Sequence, residues 1–229
     1  MNAAAAAQLP KPSLTDQIGA AGTLLKGTLP LFKSGVLGSM SPVAATKALK
    51  GIIQWNFLPA GLLAIGAARD PYHTAIIDDA GSMTYQELHE QSTALAQALF
   101  RTGVRERDRI GVLCRNHRGF ILTLCAHGRL GTDIVLFNTG ASAKQTQAVL
   151  QEQKIDMLFI DEEFLPLLPK DFDACPVIIA WENGDTLGLS REAEEALKKP
   201  SNIRDAIASG NYATRHEDWA SPVSYTHLT

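Results

Sequence analysis

Apolar residues along this chain alternate between two textures. Short, near-continuous apolar runs of strand length fall at Arg109–Cys114, Asp133–Phe137, Met157–Ile160 and Val177–Trp181. Between them, apolar positions recur at helical spacing over His117–Leu130, which stops at Gly131, and from Ser142 to about Gln153, where Val149 and Leu150 are expected to face inward. Apolar strands that alternate with helices predict a parallel sheet covered on both faces. With right-handed crossovers such a sheet is doubly wound. The fold class is therefore α/β, a partial, doubly wound and mostly parallel sheet with helices on both faces.

Upstream of the first of these strands, Thr74–Asp78 is a β-rich run, Asp79–Ser82 is turn chemistry and Met83–Tyr85 is the returning strand of a hairpin. Thr84 and Glu87 have the spacing of a capping box, as do Ser142 and Gln145. Behind Thr84, residues Leu88, Ser92, Leu95 and Leu99 share one helical face, and Gly103 supplies a left-handed stop. Residues 52–68 fit a helix kinked at Pro59. Past Trp181 the expectation is a loop over Glu182–Ser190, an exposed helix over Arg191–Lys199 and a short helix over Ser201–Ser209 ending at Gly210. The division that follows is a loosely ordered extension over 1–50, a partial domain over 51–222 and a tail over 223–229.

Composition removes several function classes. A formal net charge of −3 argues against a nucleic-acid binder, which would carry a basic surplus. Cys114, Cys125 and Cys175 are odd in number and scattered, so they suggest neither a metal pair nor a disulfide framework but reduced, buried thiols in a cytoplasmic protein. Met1–Ala7 is alanine-rich without the basic start and apolar run of a signal peptide. Gly51–Ala68, the most apolar window, is interrupted by Gln54, Asn56 and Pro59 and suits a packed helix better than a membrane span. Residues 20–50 leave two readings open. Lys26, Lys33, Lys47 and Lys50 lie among Leu24, Leu25, Leu29, Leu31, Phe32, Val36 and Leu37, with no acid between Asp16 and Asp70. Such a stretch suits peripheral contact with an anionic membrane, or a flexible extension packed on other protein.

The usual catalytic patterns are absent from the sequence: no Gly-x-Gly-x-x-Gly after the first strand, no Walker loop, no Gly-x-Ser-x-Gly and no zincin motif. Three loops carry polar residues at the carboxyl edge where open α/β sheets bind ligands. Arg115-Asn116-His117-Arg118 is either ligand-facing or a solvated loop in which Asn116 caps the next helix. Asn138-Thr139-Gly140 has the same pair of readings, ligand edge or turn. Asp161-Glu162-Glu163 is either a carboxylate acid/base site or a solvated helix start. None of these assigns a catalytic, cofactor-binding or metal-ligating residue.

Several blocks in order resemble the adenylate-forming superfamily of acyl-CoA synthetases, luciferases and peptide-synthetase adenylation domains. Met83-Thr84-Tyr85-Gln86-Glu87-Leu88 resembles that superfamily's Thr-Tyr-x-Glu-Leu segment. Gly103–Ile110 resembles its Gly-Val-x-x-Gly-Asp-x-Val link, with Arg107 where glycine is usual. Cys114–Phe120, Leu130–Asp133 with Val135–Gly140, and Asp161–Phe164 resemble forms found in a fatty-acid subgroup. The resemblance covers roughly residues 50–215.

It implies the first flavodoxin-like layer of an adenylate-forming N-terminal domain, in an AMP-forming fatty acid–CoA ligase that uses ATP, Mg²⁺ and coenzyme A. The rivals are a ligase for an aryl or amino acid, and a non-catalytic α/β binding module. The implied Ser/Thr/Gly-rich, Lys-containing phosphate loop would follow Glu217–Pro222, where the sequence instead reads Val223–Thr229, a stretch similar to translated adapter sequence. No catalytic residue of the superfamily carries over, and neither ATP, Mg²⁺ nor coenzyme A is expected to bind these residues tightly. A reading frame that runs past Pro222 into such a loop would favour the ligase.

Overall fold

The computed structural model describes residues 40–55, 58–170 and 172–182 and the backbone of 201–202. Residues 1–39 of the expected extension, the expected loop and helix over 182–199 apart from Glu182, residues 203–209 of the next expected helix and the tail over 223–229 lie outside the described residues. The chain packs as two units, residues 1–45 and 46–229, and the sheet with both of its cores belongs to the second.

Two helices open the described chain, α1 (Pro42–Trp55) and α2 (Pro59–Arg69). The expected kink at Pro59 is a break. A proline disfavours helical backbone in the residue before it, and Leu58 is extended at φ −67°, ψ 166°. Pro59 then takes the first helical position, where its lost N–H is not needed. The hairpin β1 (Thr74–Asp78) and β2 (Gly81–Thr84) is antiparallel, with Gly81 at φ +100° in its turn.

Thr84 caps α3 (Tyr85–Arg101) through both bonds of the predicted capping box: its Oγ1 accepts from Glu87 N at 3.2 Å, and its own N–H donates to Glu87 Oε2 at 2.8 Å. Leu88, Ser92, Leu95 and Leu99 are all buried, as their spacing predicts, and Gly103 follows the helix at φ +106°. The second box, Ser142 with Gln145, opens α5 (Ala143–Gln153) with the same pair of bonds. Among α5's residues only Thr146 is fully buried, and Val149 and Leu150 are half-buried.

The main sheet is parallel and five-stranded, in the order β4-β3-β5-β6-β7, with β3 (Arg109–Leu113), β4 (Asp133–Leu136), β5 (Met157–Asp161), β6 (Val177–Trp181) and β7 (Ser201–Asn202). Renumbered from β3, this is the 2-1-3-4-5 order of flavodoxin-like folds. Ser201–Asn202, expected to open a helix, instead pairs with Ile178 and Ile179 as the outermost strand. Backbone hydrogen bonding to a buried strand overrides the local helical preference there.

Period-two alternation splits the apolar residues between two cores. Ile110, Val112, Met157, Phe159, Ile178 and Ala180 join Leu63, Leu95 and Leu122 on the helical face covered by α2, α3 and α4 (Arg118–Leu130). Leu113, Leu158, Ile160, Val177 and Ile179 pack with Phe164 and Leu165 of a 3₁₀ turn (Glu162–Leu167) on the other face. β5 is buried at every position, which is why it reads as an unbroken apolar run. Cys114, Cys125 and Cys175 are free and buried.

Arg107, standing where the resemblance expects glycine, holds a left-handed backbone at φ +70°, its N–H donating to Gly131 O at 3.0 Å. An L-residue there is strained by about 1–2 kcal/mol. Part of the relief is lost to glycine's larger unfolded-state entropy. Arg107→Gly should therefore stabilise the fold by about 0.5–1 kcal/mol in urea melts. A loss of stability would mean that the Arg107 side chain contributes more than its backbone costs.

Candidate functional site

In the 2-1-3-4-5 order the chain leaves β3 toward one side of the sheet and leaves β5 toward the other. The carboxyl ends of β3 and β5 therefore flank the switch point, where open α/β sheets bind ligands. Residues 114–118 and 161–163 meet there. Asn138–Gly140 follows β4 at the adjoining edge, where Phe137 N–H donates to Val112 O at 2.9 Å.

Asp161, 1% exposed, organises this edge. Its Oδ2 accepts from the Arg115 backbone N–H at 2.7 Å and its Oδ1 lies 2.9 Å from His117 Nε2. His117 Nδ1 accepts from the N–H groups of Gly119 at 3.1 Å and Phe120 at 3.4 Å. A nitrogen that accepts carries no proton, so the imidazole holds its proton on Nε2 and donates it to Asp161. His117 is thus the N-cap of α4, the role the sequence assigned to Asn116, which is exposed. An imidazole caps rarely, so no propensity points to it.

Trp181 stacks on His117 with ring centroids 4.6 Å apart. A register shift between Ile160 and Asp161 places Asp161 opposite Trp181 and so brings the ring over the cap. Gly119 completes the approach. A Cβ there would lie 2.4 Å from the Ala180 carbonyl oxygen, so only glycine lets α4 start this close to β6. Burial, reinforced by the charge of Asp161 and a hydrogen bond to it, pushes the Cys114 thiol far above its ordinary range, so it is no nucleophile.

The charged residues of the loop are paired, not simply solvated. Arg115 grips Glu163 with two bonds, the Nη2–Oε2 one at 2.8 Å. That contact raises the guanidinium and lowers the carboxyl. Arg118 binds Asp78 of the hairpin through its backbone N–H at 2.9 Å and its guanidinium, and reaches Gly81 O at 2.8 Å. Burial alone would raise the Asp78 carboxyl, but the Arg118 hydrogen bonds and charge outweigh it and leave it below its usual range. The solvated-acid reading of Asp161-Glu162-Glu163 is corrected likewise: Asp161 and Glu162 are buried and Glu163 is ion-paired. Asn138 behaves as a turn residue, its Oδ1 accepting from Gly140 N–H at 2.9 Å.

Chemically, this arrangement fixes the geometry of an edge. Both nitrogens of His117 and both oxygens of Asp161 are engaged, while Arg115, Asn116 and Asn138 face solvent along the rim. Among the described residues no group of three His, Cys, Asp or Glu is placed to hold a metal ion. Sequence reasoning found the loops but missed the Asp161 hub, the Trp181 stack and the Asp78–Arg118 clamp, which join residues far apart in the chain.

The family model for AMP-binding enzymes matches residues 63–222. The chain belongs to the AMP-binding enzyme family. Its relatives include a fatty acid–[acyl-carrier-protein] ligase of Streptomyces coeruleorubidus, 28% identical over 45% of this chain and 20% of that protein. A 4-hydroxybenzoate–CoA/benzoate–CoA ligase of Rhodopseudomonas palustris is 30% identical over 41% of this chain and 17% of that protein. The chain thus spans about a fifth of the length of these curated relatives. A solved benzoate CoA ligase from Burkholderia xenovorans LB400 shares the fold with a TM-score of 0.54 at 19% identity, covering 70% of this chain and 30% of that one. An anthranilate CoA ligase in complex with anthranoyl-AMP gives 0.55 at 18%, covering 69% and 29%.

Proposed function

We propose that this chain is part of an ATP-dependent fatty acid–CoA ligase. In that reaction a fatty acid carboxylate attacks the α-phosphorus of ATP and releases pyrophosphate. The coenzyme A thiol then attacks the acyl carbon and displaces AMP. The observation that carries the reading is the run of family blocks in order, with Cys114–Phe120 and Asn138–Gly140 in fatty-acid wording. The fatty acid–[acyl-carrier-protein] ligase relative supports it, while the benzoate ligase relative favours an aryl acid as the second reading. Mg²⁺ and nucleotide belong, on this proposal, to residues outside those described. The part played by the described residues is to hold a carboxyl-edge rim through Asp161 and His117 beside the reaction.

The test is pyrophosphate exchange. The 229-residue chain should show none above a blank with ATP, Mg²⁺ and any acid. Loss of a single transition-state donor already costs about 10²–10³ in rate. A chain extended along the reading frame should exchange with medium- and long-chain fatty acids. Exchange with benzoates alone would sink the fatty-acid reading.

We place the protein in the cytoplasm, in peripheral contact with membrane through residues 20–50. Among the described residues no helix is long and apolar enough to cross a bilayer. Lys47 and Lys50 share the exposed side of α1 with Leu49, 51% exposed, and Ile53, 54% exposed, which supports surface contact. Co-sedimentation with anionic vesicles that survives removal of residues 1–50 would refute it.

A further inference from the structure

Away from the rim, Arg129 of α4 is a buried guanidinium without a carboxylate. It is 4% exposed, and no carboxylate pairs with it among the described residues. Its Nε donates to Ser92 Oγ at 3.3 Å, and its Nη2 to Ser92 Oγ at 3.1 Å, His89 Nδ1 at 3.2 Å and His89 O at 3.4 Å. All of these acceptors are neutral. The charge lies 4.4 Å from the centre of the Trp55 ring, which also meets His89 edge-on. Two buried donors in this cluster have no acceptor, Arg129 Nη1 and Trp55 Nε1.

A buried cation that keeps its charge without a counter-ion is among the most costly arrangements in a protein, and an unmet buried donor adds to the cost. A water molecule would satisfy a donor but leave the charge. An acceptor that meets both donors and cancels the charge is an anion. We propose that Arg129 Nη1 and Trp55 Nε1, between α1, α3 and α4, form a binding site for one carboxylate or an inorganic oxyanion of similar size. Trp55 is half-buried at the end of α1. The oxyanion comes either from solution or from an acidic side chain of a second copy of this chain.

The test uses the full chain labelled with ¹⁵N and follows the three tryptophan indole N–H resonances as acetate, then phosphate, is titrated at constant ionic strength. Trp55→Phe assigns its resonance. The expected result is a saturable shift confined to Trp55, lost in Arg129→Met. Where the methionine variant fails to fold, Arg129→Lys keeps the charge but not the Nη1 geometry and should weaken acetate at least about tenfold. A Trp55 shift that follows protein concentration, not added anion, assigns the oxyanion to a second copy and supports the site. A resonance that follows neither, or that moves equally in wild type and the Arg129 variants, overturns it.

Discussion

Replacing Asp161 with alanine should cost the fold about 3–5 kcal/mol, the sum of the donors it orphans and the helix cap it frees. This carboxylate, 1% exposed, accepts the Arg115 N–H and the His117 Nε2–H. Alanine leaves those buried donors without an acceptor, each at about 1–3 kcal/mol. It also frees the ring that caps α4, and a lost cap is worth about 1 kcal/mol. Total stability of a domain is about 5–15 kcal/mol, so urea melts should show a large drop in midpoint.

Asp161→Asn separates charge from shape. The amide oxygen can serve Arg115 or His117, while its NH₂ opposes the other donor. His117 cannot answer by moving its proton to Nδ1, because that nitrogen accepts from Gly119 and Phe120. The asparagine variant should therefore lose about 1–3 kcal/mol. Glu163→Gln, in an exposed pair, should change stability by no more than about 0.5 kcal/mol. If Asp161→Ala melts within about 1 kcal/mol of wild type, Asp161 does not organise the edge.

What the sequence disclosed of this domain was local. The capping boxes at Thr84 and Ser142 are visible because both partners lie within one helical turn. The apolar run of β5 announces a strand buried on both faces. The parallel sheet follows from the alternation of such elements. The site was legible only as three polar loops. His117 and Asp161 are separated in sequence by 44 residues, and Asp78 and Arg118 by 40, so no periodicity or motif joins them. Their meeting depends on strand order, and the stack with Trp181 depends further on a register shift at Ile160. Ser201–Asn202 was misread for the same reason, since its strand state is set by β6 and not by its own neighbours.

The buried cluster around Arg129 makes a second large effect, a loss of stability on acidification. Burial, with the Arg129 charge adding to it, lowers His89 to about 4 from its ordinary value of 6.5. The folded chain therefore holds fewer protons on His89 than the unfolded chain between those two values. Stability is fully present above the unfolded value and falls as pH drops toward the folded one. At pH 5 the linkage amounts to about 2 kcal/mol. His127, also lowered by burial against the opposing charge of Asp133, acts in the same direction, so a comparison of variants is needed.

His89→Gln keeps an acceptor for Arg129 and removes the titration. Urea melts at pH 7.5 and pH 5 should show a loss for wild type that exceeds the variant's by about 2 kcal/mol. Equal losses would place the acid sensitivity elsewhere. The proposed oxyanion enters through the same charges. Seated on Arg129, it would cancel the smaller of the two causes that keep His89 neutral and leave burial as the larger. Acetate should then shrink the acid loss of wild type without abolishing it, and should leave the His89→Gln difference between the two pH values unchanged.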